Sequence, residues 1–314
     1  MKSTRLHVVR PGLHDTVQGA GSSGWRSFGV PASGPFDAEA HGLANALVGN
    51  DAGAATVEMT LVGGEYEALD VLGIALAGAP MTARIERHDG GRIPLVIPRS
   101  ATLGPGDRLV IGGTARGART YLAVKGGWGS TEAIEVEHPL HSGGHLLASA
   151  GGIPARRPSP SLLAPTAEGP IRVIDGPDSA AVPIDWGAAS FRLGPQSNRM
   201  GLRLEGPPLG IPADPDRVSA PVAPGAVQVA GGRIIILGPA CGTMGGYPHV
   251  AHVISADLGR LAQLRLGDGL RLRRIGLEEA RRLDCADRRR RSERHATLRV
   301  AAGDDSCGRL IGGH

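Results

Sequence analysis

The sequence predicts a mainly β protein with a few short helices, arranged in two parts. The first reason is turn density: 49 Gly and 24 Pro among 314 residues interrupt the chain too often for a helical bundle. The second is the make-up of the apolar text. Hydrophobic residues are 41% of the chain and aromatics only 3%, so the core falls to Val, Ile, Leu and Ala in short, strand-length bursts. The third is residues 151–169, where Gly151-Gly152, Pro154, Pro158, Pro160, Pro165 and Gly169 occur with few apolar anchors. This composition reads as a linker. The expected division is an N-terminal β-rich part at 1–150, the linker at 151–169, a C-terminal β-rich part at 170–284, and an Arg-rich mobile tail at 285–314.

Along the first part, residues 5–9 read as a strand closed by Pro11-Gly12. A glycine-rich segment follows (Gly19, Gly21, Gly24, Gly29, Gly34), lacking the strand–helix context of a dinucleotide fingerprint. Asp37 to Val48 is the helix candidate: Asp37 caps it, Leu43, Leu47 and Val48 share a face, and Gly49-Asn50 stops it. Strands are expected at 56–61, 74–77, 95–97, 108–111 and 120–124. In the second part they are expected at 171–174, 191–193, 202–205, 226–229, 234–237 and 270–274, with a short helix at 257–264. Both parts contain a Gly-Asp turn entering a basic-apolar strand, Gly106-Asp107 and Gly267-Asp268, which suits tandem barrels or, equally, two unrelated β domains.

Charge and cysteine content exclude several classes. The formal net charge is +4, and its excess gathers in Arg288–Arg291 with Arg294 while acids and bases are mixed elsewhere, so neither a nucleic-acid nor a membrane partner is expected. Cys241, Cys285 and Cys307 make no disulfide framework, and no Cys/His cluster has zinc spacing. His249 and His252 stand three apart without a third ligand, and are read as surface or core histidines. Cys241 has no base beside it in the sequence and is read as a buried structural thiol. The N-terminus has no signal-peptide pattern, and the cytoplasm is the expected location.

Two segments carry chemistry. Ser197-Asn198-Arg199-Met200-Gly201 forms a polar turn before the alternating strand Leu202-Arg203-Leu204-Glu205. The guanidinium of Arg199 suits bidentate capture of a carboxylate-like group, or else packs the turn. Thr243-Met244-Gly245-Gly246-Tyr247-Pro248 is a Gly-rich loop. Its backbone amides suit an oxyanion and the Tyr247 hydroxyl suits a carbonyl, or else the loop is a tight turn with Tyr247 filling space. The candidate substrate-binding residues are Ser197, Asn198, Arg199, Thr243, Gly245, Gly246 and Tyr247. No catalytic residue is assigned and no metal site is expected. Gln18, Asn45 and Glu58 suit buried polar roles in the first barrel.

These blocks, with Gly29-Val30-Pro31-Ala32-Ser33-Gly34-Pro35-Phe36-Asp37, Ala44-Asn45-Ala46-Leu47-Val48-Gly49-Asn50, Val57-Glu58-Met59-Thr60-Leu61 and Ala262-Gln263-Leu264-Arg265-Leu266-Gly267-Asp268, occur in an order that resembles the carboxyltransferase subdomain A/B family. That family includes allophanate hydrolase subunit 2, the matching part of urea carboxylase, the C subunit of 5-oxoprolinase and a sporulation-kinase regulator of bacilli. The resemblance implies two cyclophilin-like β-barrel subdomains. It also implies a companion carboxyltransferase half similar to allophanate hydrolase subunit 1, and a small amide or lactam substrate. The implied activity is ATP-dependent 5-oxoproline cleavage or carboxyl transfer within a hetero-oligomer. No phosphate loop or Ala-Met-Lys-Met biotin site occurs in the sequence, so no cofactor is expected on this chain, and ATP or biotin belongs to partner subunits. The sequence departs from the family pattern where an Asp becomes Asn198, where Ala240-Cys241-Gly242-Thr243-Met244 replaces Asp-x-Gln-Thr-Thr, and in the serine-rich segment expected within 128–144. These losses keep open a non-catalytic regulatory or binding subunit that sequesters a partner such as a kinase inhibitor.

Overall fold

The computed structural model describes residues 3–129, 138–149, 151–163, 168–181, 184–210 and 216–303. Cys307, the end of the expected tail, Pro165 and part of the 128–144 segment lie outside the described residues. The chain forms two compact units: residues 1–20, 37–165 and 290–314, and residues 21–36 and 166–289.

The first unit holds two six-stranded antiparallel sheets. One runs His145–Ser149, Ser3–Arg10, Glu65–Ala68, Arg108–Ile111, Ala83–Glu86, Arg92–Leu95. The other runs His138–Pro139, Asp15–Gln18, Thr56–Thr60, Arg119–Val124, Leu72–Gly78, Arg99–Leu103. Leu6, Val8, Val57, Met59, Tyr66, Ile74, Leu76, Leu109 and Leu122 fill one shared core. Helix α1 (Ala38–Leu47) packs Ala40, Leu43, Ala44 and Leu47 against Ala75, Ala77, Tyr121 and Ala123. Strands Leu72–Gly78 and Arg119–Val124 are therefore covered on both faces. Such strands read as continuous apolar runs, which is why the sequence announces them. Asp37 starts α1 as expected, its Oδ1 accepting from the Glu39 and Ala40 amides at 3.1 and 3.0 Å.

The second unit is an eight-stranded sheet in the order Gly269–Leu270, Phe191–Leu193, Gly201–Glu205, Arg233–Leu237, Ala226–Ala230, His249–Val253, Ile171–Asp175, Leu272–Arg274. Its two outermost strands are separated in sequence only by Arg271, so the sheet curls round to a nearly closed barrel. Closure removes the exposed edges that an open sheet would present. Val173, Leu204, Val227, Ile236 and Val253 form its core, joined by Leu261 and Ala262 of helix α2 (Leu258–Ala262). The Gly-Asp turns use one device in both units. The Asp107 carboxylate accepts from the Gly104 amide at 2.7 Å and Asp268 from the Arg265 amide at 2.9 Å, each three residues back. Gly106 and Gly267 supply the left-handed backbone (φ 80° and 83°) that the turn requires.

Three expectations about organisation are corrected. The start of the linker is built into the first unit. Gly73 N donates to Gly151 O at 2.7 Å, Ser100 N to Arg156 O at 2.9 Å, and Ile153 is buried. The Pro- and Gly-rich text therefore lies along a strand edge, where missing donors are tolerated. The Arg-rich tail is helical as far as Ala301, within α3 (Leu277–Ala301). Arg, Leu and Ala are good helix formers, and Arg281–Glu278 and Arg288–Asp284 pair along its surface. Ala280 and Leu283 pack with Ile254 and Ile275 in the second unit. Leu298 packs with Leu47, and Arg294 pairs with Glu39, in the first. Residues 21–36, finally, belong to the second unit rather than to the N-terminal part. Strands Asp15–Gln18, Glu65–Ala68, Ala83–Glu86 and Arg99–Leu103 escape the sequence reading because charged and hydroxyl residues dilute their apolar text, and His249–Val253 because two histidines do.

Candidate functional site

In the second unit, four segments meet at one place: 26–34, 197–200, 221–222 and 238–245. Gly238 N donates to Met200 O at 3.0 Å, Ala240 N to Arg199 O at 3.2 Å, and Ser33 N to Pro239 O at 2.9 Å. Val222 N donates to Thr243 O at 3.0 Å, and the Arg26 guanidinium donates to Val222 O. The turn and the Gly-rich loop singled out in the sequence are thus neighbours. Arg26 joins them, and carried no signal beyond its proximity to glycine-rich text; Cys241, read from the sequence as a buried structural thiol, joins them too.

The seven candidates divide by what their side chains do. Ser197 Oγ accepts from Arg203 N at 2.9 Å. Asn198 Oδ1 accepts from Met200 N at 2.9 Å and Gly201 N at 3.2 Å, an Asx-type turn. An amide oxygen serves that turn as well as a carboxylate does, so the departure from the family pattern keeps the geometry. Arg199 is 5% exposed and donates from Nη2 to Gly34 O at 2.6 Å, tying the 21–36 segment to this turn. Gly245 pairs with Ala220, and a Cβ there would lie 2.6 Å from Gln228 Nε2. Glycine leaves the room through which Gln228 reaches the Tyr247 carbonyl at 3.2 Å, and a larger residue would displace that amide. Thr243 is half-buried, while Gly246 and Tyr247 are exposed. Cys241 is 1% exposed, and burial raises its thiol pKa against the opposing Arg26 contact, which is the setting of an inert thiol. Arg199→Ala should cost about 1.5–3 kcal/mol, the range for a hydrogen bond from a charged group. Chemical denaturation would read it as a lower midpoint, and the midpoint should partly recover in Arg199→Lys.

The first unit contains a buried polar network that the sequence reading touched at Glu58, Asn45, Asn50 and Asp37. Glu58 is 1% exposed. It accepts from the Tyr121 hydroxyl at 2.8 Å and faces Arg119 Nε at 3.3 Å. The same hydroxyl accepts from Asp37 N at 2.8 Å. The His41 ring stacks on Tyr121 with centroids 5.9 Å apart. Burial, against the smaller pull of Glu58, lowers the His41 pKa to about 4, so its imidazole is neutral at pH 7. Asn50 links three segments: its amide donates to Asn45 Oδ1 at 3.0 Å and Val124 O at 2.7 Å, and its oxygen accepts from Gly126 N at 2.7 Å. Asn50→Ala should cost about 1–3 kcal/mol because buried backbone groups lose their partner. Thermal melts would check this, and a change below a few tenths would contradict it. Arg119, His41 and Tyr121 were missed because single polar residues inside apolar strands and helices carry no spacing signal.

Among the described residues, no group of three or more His, Cys, Asp or Glu is placed to hold a metal ion. No described helix is long and apolar enough to cross a membrane.

A family model described as carboxyltransferase domain, subdomain A and B, matches residues 28–274. The chain belongs to this carboxyltransferase family. The C subunit of 5-oxoprolinase from Escherichia coli (strain K12) is 34% identical over 298 residues, covering 88% of this chain and 93% of that protein. Urea amidolyase of Lachancea kluyveri is 27% identical over 330 residues, covering 90% of this chain but only 17% of that much longer enzyme. The crystal structure of Kluyveromyces lactis urea carboxylase matches with a TM-score of 0.79 at 24% identity, covering 94% of this chain and 29% of that one, a likeness of fold. Within the carboxyltransferase match lie the Asn198 turn, the Gly245–Tyr247 loop and the Glu58 network, whereas α3 begins beyond its end.

Proposed function

We propose that this carboxyltransferase-family chain is a subunit of a hetero-oligomeric enzyme acting on a small amide or lactam, with 5-oxoproline as the first substrate to test. The observation that carries the reading is the near end-to-end likeness to the C subunit of 5-oxoprolinase, at 34% identity over 93% of that protein. In this reading ATP is used by a partner subunit. The companion carboxyltransferase half completes the site, and exposed Tyr247 and Gly246 face the substrate. Arg199 acts behind them by holding the turn. The test is reconstitution with candidate partner subunits and assay of 5-oxoproline-dependent ATP hydrolysis with release of glutamate. Turnover that requires this chain is the expected result. Turnover with urea and a biotin-bearing partner instead would move the reading to carboxyl transfer.

A second reading is a non-catalytic subunit that sequesters a regulatory partner. It is favoured by the way Ser197, Asn198 and Arg199 are used as internal turn supports, which leaves few ionisable groups for chemistry near neutral pH. Tyr247→Phe separates the two. It should lower kcat in the reconstituted enzyme if the loop faces substrate, and leave complex formation unchanged.

A further inference from the structure

We propose that the second unit carries an aromatic docking face, built on Trp25, Phe28, Met200 and Met244 around Arg26, for the companion subunit of the complex. The observation is one of distribution. The chain has three Trp, three Tyr and three Phe. Phe36, Tyr66, Tyr121, Trp128 and Phe191 are buried and Trp186 is partly so, whereas Trp25, Phe28 and Tyr247 are 46%, 76% and 52% exposed. Among the described residues the methionines divide the same way: Met59 and Met81 are buried, while Met200 and Met244 are 58% and 53% exposed. All five exposed side chains lie on, or within two residues of, the four segments that meet at the Gly-rich loop. A chain this poor in aromatics gains most by burying each one. A third of them left in water at one place marks a surface that something else covers.

The face is built before any contact. Trp25 caps the short 3-10 helix Arg26–Phe28, and its ring centroid lies 5.7 Å from that of Phe28. Phe28 N donates to Trp25 O and Gly29 N to Arg26 O, both at 3.0 Å, and Gly29 closes the turn in the left-handed region at φ 80°. The Arg26 bond to Val222 O fastens this turn to the ribbon in which Pro221 pairs with Met244. Side chains held in place beforehand lower the ordering cost of association.

Composition and charge choose the occupant. Residues 23–34, 197–200, 218–222 and 238–247 contain no Asp, Glu or Lys. Aromatics, Met and Arg are enriched at the core of protein–protein contacts, and Lys, Glu and Asp are depleted there. Arg199 is buried on Gly34 O. That leaves Arg26, half-buried and in no ion pair among the described residues, as the charge this face presents. A second copy docking symmetrically would bring Arg26 against a face without a carboxylate. One guanidinium also falls short of the roughly four to eight basic residues that hold a protein on an anionic membrane. A different chain, presenting apolar side chains around an Asp or Glu, satisfies both the rings and the charge. The inference rests on the reading of this chain as a subunit of a hetero-oligomeric enzyme, and names where the companion carboxyltransferase half docks.

The test is isothermal titration of the full chain with the recombinant companion half from the same host. Trp25→Ala, Phe28→Ala and Arg26→Met are compared with Leu266→Ala, a control at an exposed apolar residue elsewhere on the second unit. Affinity is expected to fall at least about tenfold in Trp25→Ala and in Phe28→Ala, and to stay at the wild-type value in Leu266→Ala. Arg26→Met should weaken binding and flatten its dependence on salt, and Arg26→Lys should restore part of both. Because Trp25 and Phe28 are exposed, circular dichroism melts of their variants should match wild type. A wild-type complex that the Trp25→Ala and Phe28→Ala pair leaves unchanged overturns the proposal while the subunit reading stands, and no wild-type complex at all overturns both. Self-association by sedimentation, or binding to phosphatidylserine vesicles, that either alanine variant abolishes would also overturn it, by giving the face to a second copy or to a membrane.

Discussion

Replacing Glu58 with Ala is expected to destabilise the chain by about 3–5 kcal/mol, the usual cost of removing one partner from a buried ion pair. Glu58 is 1% exposed and Arg119 7%. The carboxylate faces both that guanidinium and the Tyr121 hydroxyl, so its loss takes from a buried charge and a buried donor the group they address. Burial, reinforced by Glu58, raises the Tyr121 pKa well above its ordinary value, keeping the phenol protonated and donating. Glu58→Gln keeps an acceptor for Tyr121 and should cost less than Glu58→Ala. Tyr121→Phe should be milder again. Urea unfolding of the three variants checks the order, and equal stability of Glu58→Ala and wild type would contradict it.

Acidification should weaken the fold through His41 by up to about 3 kcal/mol between pH 6.5 and 4. The imidazole is 1% exposed and its Nδ1 finds no hydrogen-bond partner among the described residues. Its folded pKa is about 4 against an unfolded value near 6.5. In that window the unfolded chain binds the proton and the folded chain does not, so stability is full above about pH 6.5 and declines as pH falls towards 4. His249, His252 and His295 are lowered by burial as well and act with the same sign. Asp15, raised by burial against its Tyr66 hydrogen bond, has the opposite sign, since it favours the fold at low pH and loses that advantage as pH rises. His41→Phe keeps the stack on Tyr121 and removes the titration. Its stability should vary less with pH across this window, and an unchanged slope would show that His41 is not the group responsible.

How much the sequence discloses follows from what each element needs. Leu72–Gly78 and Arg119–Val124 are buried on both faces, so their apolar runs stand out. Asp37 announces α1 because a cap is local chemistry. Arg99–Leu103 and His249–Val253 are partly polar strands whose pairing is set by distant partners, and no short window contains that information. The α3 helix was hidden by its charge. Its arginines read as a solvated tail, yet Arg294 and Arg291 meet Glu39, and Arg299 meets Asp51, more than two hundred residues earlier. At the site, the sequence located the right turn and loop but not the division of labour. That Arg199 faces the Gly34 carbonyl depends on residues 21–36 folding with the second unit.

The most direct test of the central claim, that this chain is one subunit of a metabolic amide- or lactam-processing complex, is affinity purification of the tagged chain from its own host with mass spectrometry of the eluate. The account predicts stoichiometric recovery of a companion carboxyltransferase half together with an ATP-using lactamase subunit. Recovery of a signalling kinase or its inhibitor, with no metabolic enzyme, would contradict it.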